Sequence, residues 1–318
     1  MRFNDNWRTI LLAGLLILAG WQNGMAQRRV NTQFLPYSEV GFGLGSSTYY
    51  GELAGYRKPI KSTFTLPRWN VGLMYTRHFT PRLAARASFT YARITGDDYK
   101  YNAGDPLKAP AQFVRNLHFR NDLKEFALVG IYQFVEDGRN SLKRAQLTPY
   151  IFGGLALLAH SPEARNPLDS SNRQWVKLQP LGTEGQGQPS YAKPYSLVTL
   201  AIPLGLGVRY KLNENFNLAI EGGLRYTFTD YLDDIGGPYP AADLLTGQSA
   251  IFGNRSNELT AARKGGDRQV GLQQISNELG SPEQFMRAGT GGFNDSYVFT
   301  SIQIHYIIPG KIKCPPIK

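Results

Sequence analysis

Long apolar runs and cysteine are both scarce in this sequence. Its longest apolar stretches are 10–20 and 197–208, and Thr199 and Pro203 interrupt the second. A helix needs about 18 or more consecutive apolar residues to cross a bilayer, so a polytopic helical membrane protein is excluded. The one cysteine, Cys314, excludes an intramolecular disulfide. It is either a free thiol or the site of a bond to another chain.

Residues with catalytic or metal-binding spacing are also scarce. The chain has four histidines: His78, His118, His160 and His305. No nucleophile elbow, paired His-Glu metal motif or glycine-rich phosphate loop accompanies them. The run 230–234 contains Asp230, Asp233 and Asp234, but its spacing matches no EF-hand calcium loop. We therefore predict a non-enzymatic protein with no catalytic residues, no cofactor and no metal site.

Glycine and aromatic residues, in contrast, are abundant. The chain has 34 glycines, 18 tyrosines and 17 phenylalanines, and aromatic residues make up 12% of it. Charged residues account for 19%. This composition favours an ordered, β-rich protein with many turns over a disordered or helical one.

The first 26 residues have the pattern of a secretory signal peptide. Arg2 and Arg8 give a basic start, 9–20 an apolar core, and 24–26 a small-residue cleavage site. The formal net charge of the chain is +11. In an exported protein, the anions that such a charge attracts are lipid head groups, lipopolysaccharide or an acidic protein. We predict these as partners, and no nucleic acid.

Alternation of apolar and polar residues dominates the rest of the sequence. From Phe216 to Phe228, apolar residues at even positions alternate with small, polar or charged residues at odd positions. Each alternating segment is long enough for a tilted strand that crosses a bilayer. There are eight of them: 38–50, 69–79, 82–94, 119–135, 147–159, 195–211, 215–229 and 296–308.

The connections between these segments alternate in length. Three are compact: 80–81, 136–146 and 213–214. Four are longer: 51–68, 95–118, 160–194 and 230–295. This places all long loops on one face and both termini on the other, as in bacterial outer-membrane barrels. We predict an all-β fold, an eight-stranded antiparallel transmembrane β-barrel with long extracellular loops, short periplasmic turns and both termini in the periplasm.

The alternative is a soluble β-sandwich or a lipocalin-like barrel, since their strands also alternate. Two features favour the membrane barrel. The polar face is lined by small residues that suit a narrow lumen: Gly41, Gly43, Gly45, Ala84, Gly205, Gly207, Ala219 and Gly223. The apolar face ends in aromatic residues, as in the girdles at membrane interfaces: Tyr75, Phe79, Tyr91, Tyr132, Phe134, Tyr210, Phe228 and Tyr306.

Charged residues also fall on the predicted inner face: Glu39, Arg86, Glu125, Glu221 and Arg225. Charges inside a barrel must pair, because removing a single charge from water costs several kcal/mol. The interior of an eight-stranded barrel is only wide enough for side chains to fill. We therefore predict a network of ion pairs that plugs the barrel, and no solute channel.

These patterns define four regions: a signal peptide (1–26), a periplasmic N-terminal segment (27–37), the barrel (38–308) and a basic periplasmic tail (309–318). Basic residues of the tail and of one turn fall on the same face, where we expect an acidic partner. The predicted partner-binding residues are Lys311, Lys313, Cys314, Arg139, Lys143 and Arg144. We predict that Cys314 can form a disulfide with that partner; a frayed, solvated tail is the alternative.

Four segments resemble a PorG-like outer-membrane barrel family of the Bacteroidetes. They are 93–98, 116–120 followed by Glu125, 178–187 and 229–237. Their distinctive residues include Leu178, Gln179, Pro180, Leu181, Gly182, Asp230, Tyr231, Asp233 and Asp234. The family includes a barrel component of the type IX secretion system.

The resemblance implies an integral outer-membrane barrel that contacts a periplasmic ring formed by the lipoprotein PorK and by PorN. Such a barrel would help to secrete proteins that carry a C-terminal sorting domain. Because its interior is too narrow for cargo, it would anchor the ring. Two alternatives stay open: a general outer-membrane structural protein, and an enzyme or receptor that uses its loops, with His118 and His160 as the candidate acid–base residues.

Overall fold

The computed structural model describes residues 34–54, 64–102, 105–167, 173–241, 243–281, 285–288 and 294–308. The predicted signal peptide lies outside the described residues, as does most of 27–37. The tail 309–318, which contains Lys311, Lys313 and Cys314, also lies outside them. Among the described helices, none combines the length and the apolar character needed to span a membrane.

Long antiparallel strands close into a barrel. They are β1 (Tyr37–Tyr50), β2 (Arg68–His78), β3 (Leu83–Asp97), β4 (His118–Gln133), β5 (Leu147–Ala159), β8 (Val198–Lys211), β9 (Phe216–Thr227) and β10 (Ser296–Ile308). Between β5 and β8 the chain forms a short hairpin of β6 (Pro162–Arg165) and β7 (Trp175–Lys177). Each of these eight long strands pairs with the next, β5 with β8 included, and β10 pairs with β1. The eight strands therefore close without an open edge. The predicted eight-stranded antiparallel barrel is confirmed. The predicted strand bounds agree to within three residues.

Shorter elements lie in the long connections. Strand β6 (Pro162–Arg165) pairs with both β4 and β7 (Trp175–Lys177). This hairpin therefore extends the wall of the barrel at the end where β4 begins. The described helices are α1 (Asp98–Asn102), α2 (Pro110–Arg115), α3 (Gln248–Gly253) and α4 (Gln269–Leu279). Single 3-10 turns occur at Pro106–Lys108, Ser141–Lys143 and Gln179–Leu181.

The short connections all lie at the end of the barrel where β1 begins and β10 ends. Between β2 and β3, the backbone N–H of Phe79 donates to the carbonyl oxygen of Leu83 at 3.0 Å. Between β8 and β9, the side-chain oxygen of Asn213 accepts hydrogen bonds of 2.9 Å from the N–H groups of Asn215 and Phe216. The predicted separation of short turns from long loops is therefore present. We call these two ends the turn end and the loop end.

The outer wall of the barrel is apolar. On β9, Ile220 and Leu224 are 61% and 44% exposed, whereas Glu221 and Arg225 are each 8% exposed. Outward aromatic residues near the loop end are Trp69, Tyr91, Tyr226 and Phe228, and those near the turn end are Tyr75, Phe79, Tyr132, Phe134, Tyr210 and Tyr306. A soluble barrel has its apolar face inside. An apolar outer surface on a closed barrel, bounded by aromatic rings, is instead the surface of a membrane-spanning barrel.

The interior of the barrel is filled by side chains. A Cβ atom on Gly207 would come within 2.5 Å of Tyr150, and one on Gly41 within 2.7 Å of His305. The small inner residues thus make room for large side chains from the facing wall. A cavity of about 20 Å³ near the turn end has space for about one water molecule. The lumen is therefore a packed core.

Candidate functional site

Arg86 and Glu221 form an ion pair across the lumen. A guanidinium nitrogen of Arg86 on β3 lies 2.5 Å from Glu221 Oε2 on β9. The Tyr150 hydroxyl on β5 donates to the same oxygen at 2.7 Å. All three side chains are buried because the alternation of each strand turns them inward. The group ties three separate strands together in the middle of the barrel.

A second pair lies nearer the loop end. Arg225 Nε is 3.6 Å from Glu125 Oε1, and the Tyr297 hydroxyl donates to Glu125 Oε2 at 2.5 Å. The Arg225 guanidinium carbon also lies 4.6 Å from the centre of the Phe299 ring. Contact with the ring face stabilises the cation in this apolar setting.

Glu39, the fifth predicted inner charge, forms no ion pair with an arginine among the described residues. Its Oε1 atom is 3.4 Å from His78 Nε2 and 3.4 Å from His305 Nδ1. The side-chain amide of Asn217 donates to Glu39 Oε2 at 3.0 Å. The five predicted charges therefore form two arginine–carboxylate pairs and one separate carboxylate–imidazole group.

Arg209, which is not among the five predicted inner charges, makes a third inner ion pair. One guanidinium nitrogen lies 2.5 Å from Asp137 Oδ1, and the Tyr37 hydroxyl donates to Asp137 Oδ2 at 2.8 Å. The signal was present, because Arg209 follows Gly205 and Gly207 at alternate positions of β8 and so faces inward with them. Its partner Asp137 lies in a turn, where alternation gives no information.

Of the turn residues predicted to bind a partner, Arg144 is buried. It is 4% exposed and donates to Asn217 Oδ1 at 3.1 Å. It also donates to the carbonyl oxygens of Asn213 and Glu214, at 2.9 and 3.0 Å. Arg144 thus braces two neighbouring turns, and this placement corrects its assignment to a partner surface.

Arg139 and Lys143 differ from Arg144, since both are exposed at the turn end. They remain available to an acidic partner. The other predicted members of that surface, Lys311, Lys313 and Cys314, are outside the described residues.

The long connections fold over the loop end, and we call their described residues 51–54, 98–117, 160–197 and 229–295 the cap. An apolar cluster joins the cap to the strands: Tyr49, Leu53, Ala54, Ala92, Ile94, Leu117, Phe119, Leu123, Leu158, Leu232, Ile235, Tyr297 and Phe299. Arg255, Arg268 and Arg287 in the last loop are at most 1% exposed. No sequence periodicity marks these three arginines, so their burial was not predicted.

Two of the family-like segments meet in the cap. The Thr183 hydroxyl donates to Asp234 Oδ2 at 2.5 Å, which joins 178–187 to 229–237. Arg287 Nε lies 3.0 Å from Glu184 Oε1 in the first segment, and Arg287 also donates to the carbonyl oxygen of Asp234 at 3.1 Å. One buried arginine therefore binds both segments.

Other distinctive residues of these segments shape the backbone of the cap. The turn Gln179–Leu181, which contains Pro180, follows the buried Leu178 and ends at Gly182. The φ of Gly182 is +60°, a left-handed conformation that favours glycine. Tyr231 stacks on Tyr195, with ring centres 4.5 Å apart, and Asp233 accepts the N–H of Ile235 at 3.0 Å.

The cap also contains a cluster of acidic residues. Glu52, Asp230 and Asp295 each place a carboxylate oxygen within 4.8 Å of the others. Burial and the neighbouring Asp230 raise the pKa of Glu52 to about 7. Burial and Glu184 raise the pKa of Asp230 to about 6. Oxygen ligands of this kind suit a hard cation such as Ca²⁺. Asp234, which belongs to the run 230–234, instead accepts a hydrogen bond from Thr183.

His118 and His160 lie at the loop end and are 3% and 4% exposed. His118 Nε2 accepts the backbone N–H of Arg165 at 3.0 Å. The His160 ring is parallel to that of Tyr195, with centres 6.3 Å apart. Burial lowers the pKa of His160 to about 4, so the ring is neutral at physiological pH. In this arrangement both rings pack within the cap.

A closed barrel with an apolar outer wall and a packed, ion-paired interior defines an outer-membrane β-barrel protein. Residues 25–171 and 188–259 match the model of the DUF6089 family, described as a domain of unknown function. The chain belongs to this family. No curated protein matches the sequence significantly.

Several solved outer-membrane barrels are similar to the chain at low identity. Neisserial surface protein A shows 11% identity and a TM-score of 0.37, over 85% of this chain and 96% of that one. A major outer membrane protein of Thermus thermophilus shows 12% and 0.38, over 86% and 99%. The N-terminal β-barrel domain of Pseudomonas aeruginosa OprF shows 11% and 0.31, over 86% and 100%. At these values no function carries over.

Proposed function

We propose that this chain is a non-enzymatic membrane anchor of the type IX secretion system, which holds the periplasmic ring of PorK and PorN at the outer membrane. The observation that carries the proposal is the plugged lumen. Arg86, Glu221 and Tyr150 bridge opposite walls of the barrel, and the cap covers the loop end. A barrel filled in this way serves better as a fixed support than as a conduit for cargo.

The family-like segments give the proposal its second support. Segments 178–187 and 229–237 resemble a family that includes a component of this secretion system, and they bond to each other through Thr183, Asp234 and Arg287. Residues that define the resemblance thus belong to one folded unit. Such a unit is expected if the segments preserve a shape that the family shares.

The ring would contact the turn end. Arg139 and Lys143 are exposed there, and the proposal adds the tail residues Lys311, Lys313 and Cys314. A disulfide between Cys314 and a ring subunit is part of this proposal. It requires that non-reducing electrophoresis of native membranes shows a larger species that reductant removes and that Cys314→Ser lacks.

Deletion of the protein tests the proposal directly. We expect loss of export of proteins with a C-terminal sorting domain, an intact envelope, and recovery on re-expression of the wild-type chain. Affinity purification after cross-linking in native outer membrane is expected to recover PorK and PorN. Normal export after deletion, or purification without either ring protein, would contradict the anchor role.

The main alternative is a general structural protein of the outer membrane. It predicts envelope defects on deletion, such as detergent sensitivity, with no selective loss of secreted cargo. If the chain is instead an enzyme that acts through its loop end, His118→Ala and His160→Ala should abolish an activity while the barrel stays folded. The burial of both rings disfavours this last reading.

A further inference from the structure

On one side of the barrel, the outer wall carries positive charge just beyond the belt of outward aromatic residues at the loop end. We call this surface the basic wall. It consists of outward residues of β3, β4, β6 and β7: Arg93, Arg120, Lys124, Arg165 and Lys177, with the carboxylates Asp122 and Glu163 among them. We propose that the basic wall binds the phosphate groups of a phosphorylated glycolipid in the outer leaflet.

The position of the basic wall fits a lipid head group. Lys124 is two residues along β4 from Phe126, which is 49% exposed in the apolar belt, and it pairs across the sheet with Tyr91. The Arg93 guanidinium carbon lies 5.7 Å from the centre of the Trp69 ring. The cations therefore begin at the height where the apolar surface ends. Phosphates of a membrane lipid lie at that same boundary, above its acyl chains.

Two of the five cations are already neutralised. Arg93 binds Asp122 through two hydrogen bonds, of 2.5 and 2.7 Å. Arg120 binds Glu163 Oε2 through two more, of 2.9 and 2.8 Å.

Lys124, Arg165 and Lys177 form no ion pair within the described residues. Glu163 lies across the sheet from Lys177 but bonds to Arg120, so this face carries three more positive charges than its two carboxylates balance. Of the three, Lys124 and Lys177 are exposed and Arg165 is half-buried.

The guanidinium groups are also held in place. Two of them lie over the ring of Trp175, with the guanidinium carbon of Arg120 at 4.2 Å and that of Arg165 at 5.2 Å from its centre. His118 packs edge-on against the same ring. Contact with the ring restricts the side chain of Arg165, the guanidinium of this wall that has no ion pair among the described residues, so less conformational entropy is lost when it binds phosphate. Guanidinium groups suit this ligand because they donate two parallel hydrogen bonds.

The opposite wall gives a contrast within the same molecule. Outward residues of β8 and β9 near the loop end, and Phe228 just after β9, are apolar or aromatic; those of the strands are Val198, Leu200 and Tyr226. The charge of the basic wall therefore does not follow from the net charge of the chain. It marks one side of the barrel, where Phe89 and Phe126 are positioned to contact the acyl chains of the same lipid.

The inference rests on the barrel spanning an outer membrane and does not depend on the proposed contact with the periplasmic ring of PorK and PorN. Its test uses the full chain in detergent, with native mass spectrometry as the readout. The probe is purified lipid A with its phosphates, compared with the same lipid after phosphatase treatment. The variant is Lys124→Gln/Arg165→Gln/Lys177→Gln, and the matched control is Lys108→Gln/Lys193→Gln/Lys264→Gln, which removes equal charge at other exposed positions.

We expect wild type and control to retain phosphorylated lipid A and the triple variant to bind it at least about tenfold more weakly. A second variant, Lys124→Gln/Lys177→Gln, alters only exposed side chains and is expected to show an intermediate loss. Equal binding by the triple variant and the control would overturn the proposal. So would equal retention of the dephosphorylated lipid, or full competition by inorganic phosphate at the same concentration as the lipid. Cargo export by the triple variant is measured separately. A failure of lipid binding can then be told apart from a failure of the proposed anchor role.

Discussion

Arg86 lies at the centre of the plug and is 6% exposed, with its partner Glu221 on the opposite wall. We predict that Arg86→Ala destabilises the barrel by about 3–5 kcal/mol, because the Glu221 carboxylate is then buried without its counterion. The free energy of unfolding, measured by urea titration in detergent, tests this.

Arg82→Ala is the matched control for Arg86→Ala. Arg82 also pairs with a glutamate, at 2.8 Å from Glu136, but both side chains are exposed. Exposed pairs contribute less than about 1 kcal/mol. Equal effects of the two substitutions would mean that water reaches the Arg86 pair.

A glycine on the inner face gives a second prediction at this scale. A Cβ on Gly207 would lie 2.5 Å from Tyr150, so Gly207→Val should destabilise by about 1–3 kcal/mol through overpacking. Gly130 is the control, because it faces outward and a Cβ there would meet nothing closer than 3.9 Å. An unfolding midpoint for Gly207→Val as high as that for Gly130→Val would contradict the packed interior.

The stability of the folded cap is expected to depend on pH. In the folded cap, the pKa of Glu52 is about 7 and that of Asp230 about 6, above the usual value of about 4 for a free carboxyl group. The folded cap thus binds more protons than the unfolded one between about pH 4 and pH 7, so its stability falls as pH rises through that window.

Hydrogen exchange of 229–237 measures this effect once it is corrected for the intrinsic pH dependence of exchange. We predict stronger protection at pH 5.5 than at pH 8, and a smaller difference in Glu52→Gln. Glu214→Gln, at an exposed turn, should behave as wild type. A pH response in Glu52→Gln equal to that of wild type would show that other groups control the cap.

The strands were predictable because their signal is local. Alternation in β9 alone places Glu221 and Arg225 inward, and it predicts the strand bounds closely. The partner of each inward charge was not predictable, since Glu39 meets His78 and His305 through the register of neighbouring strands. Alternation on one strand carries no information about that register.

The cap was the least predictable element. Arg287 is buried through contacts with Glu184 and Thr183, more than 100 residues earlier in the chain. Neither a helical nor a strand period marks such a residue, and an arginine in a long loop would ordinarily be expected in water. The segments 178–187 and 229–237 gave the one sequence signal, because they resemble loops of a known family.

For the whole molecule, three features act together. The closed barrel pairs its strands without a free edge, the interior ion pairs fix opposite walls, and the cap covers the loop end. A barrel braced in this way supports the proposed attachment of a partner at the turn end.

The central claim is that the apolar outer wall faces lipid. Fractionation of cells followed by electrophoresis with and without boiling tests it most directly. We predict that the mature chain stays with the outer membrane until detergent extracts it, and that the unboiled barrel migrates at a different position from the boiled chain. Release into the soluble periplasmic fraction without detergent, with no shift on boiling, would contradict the claim.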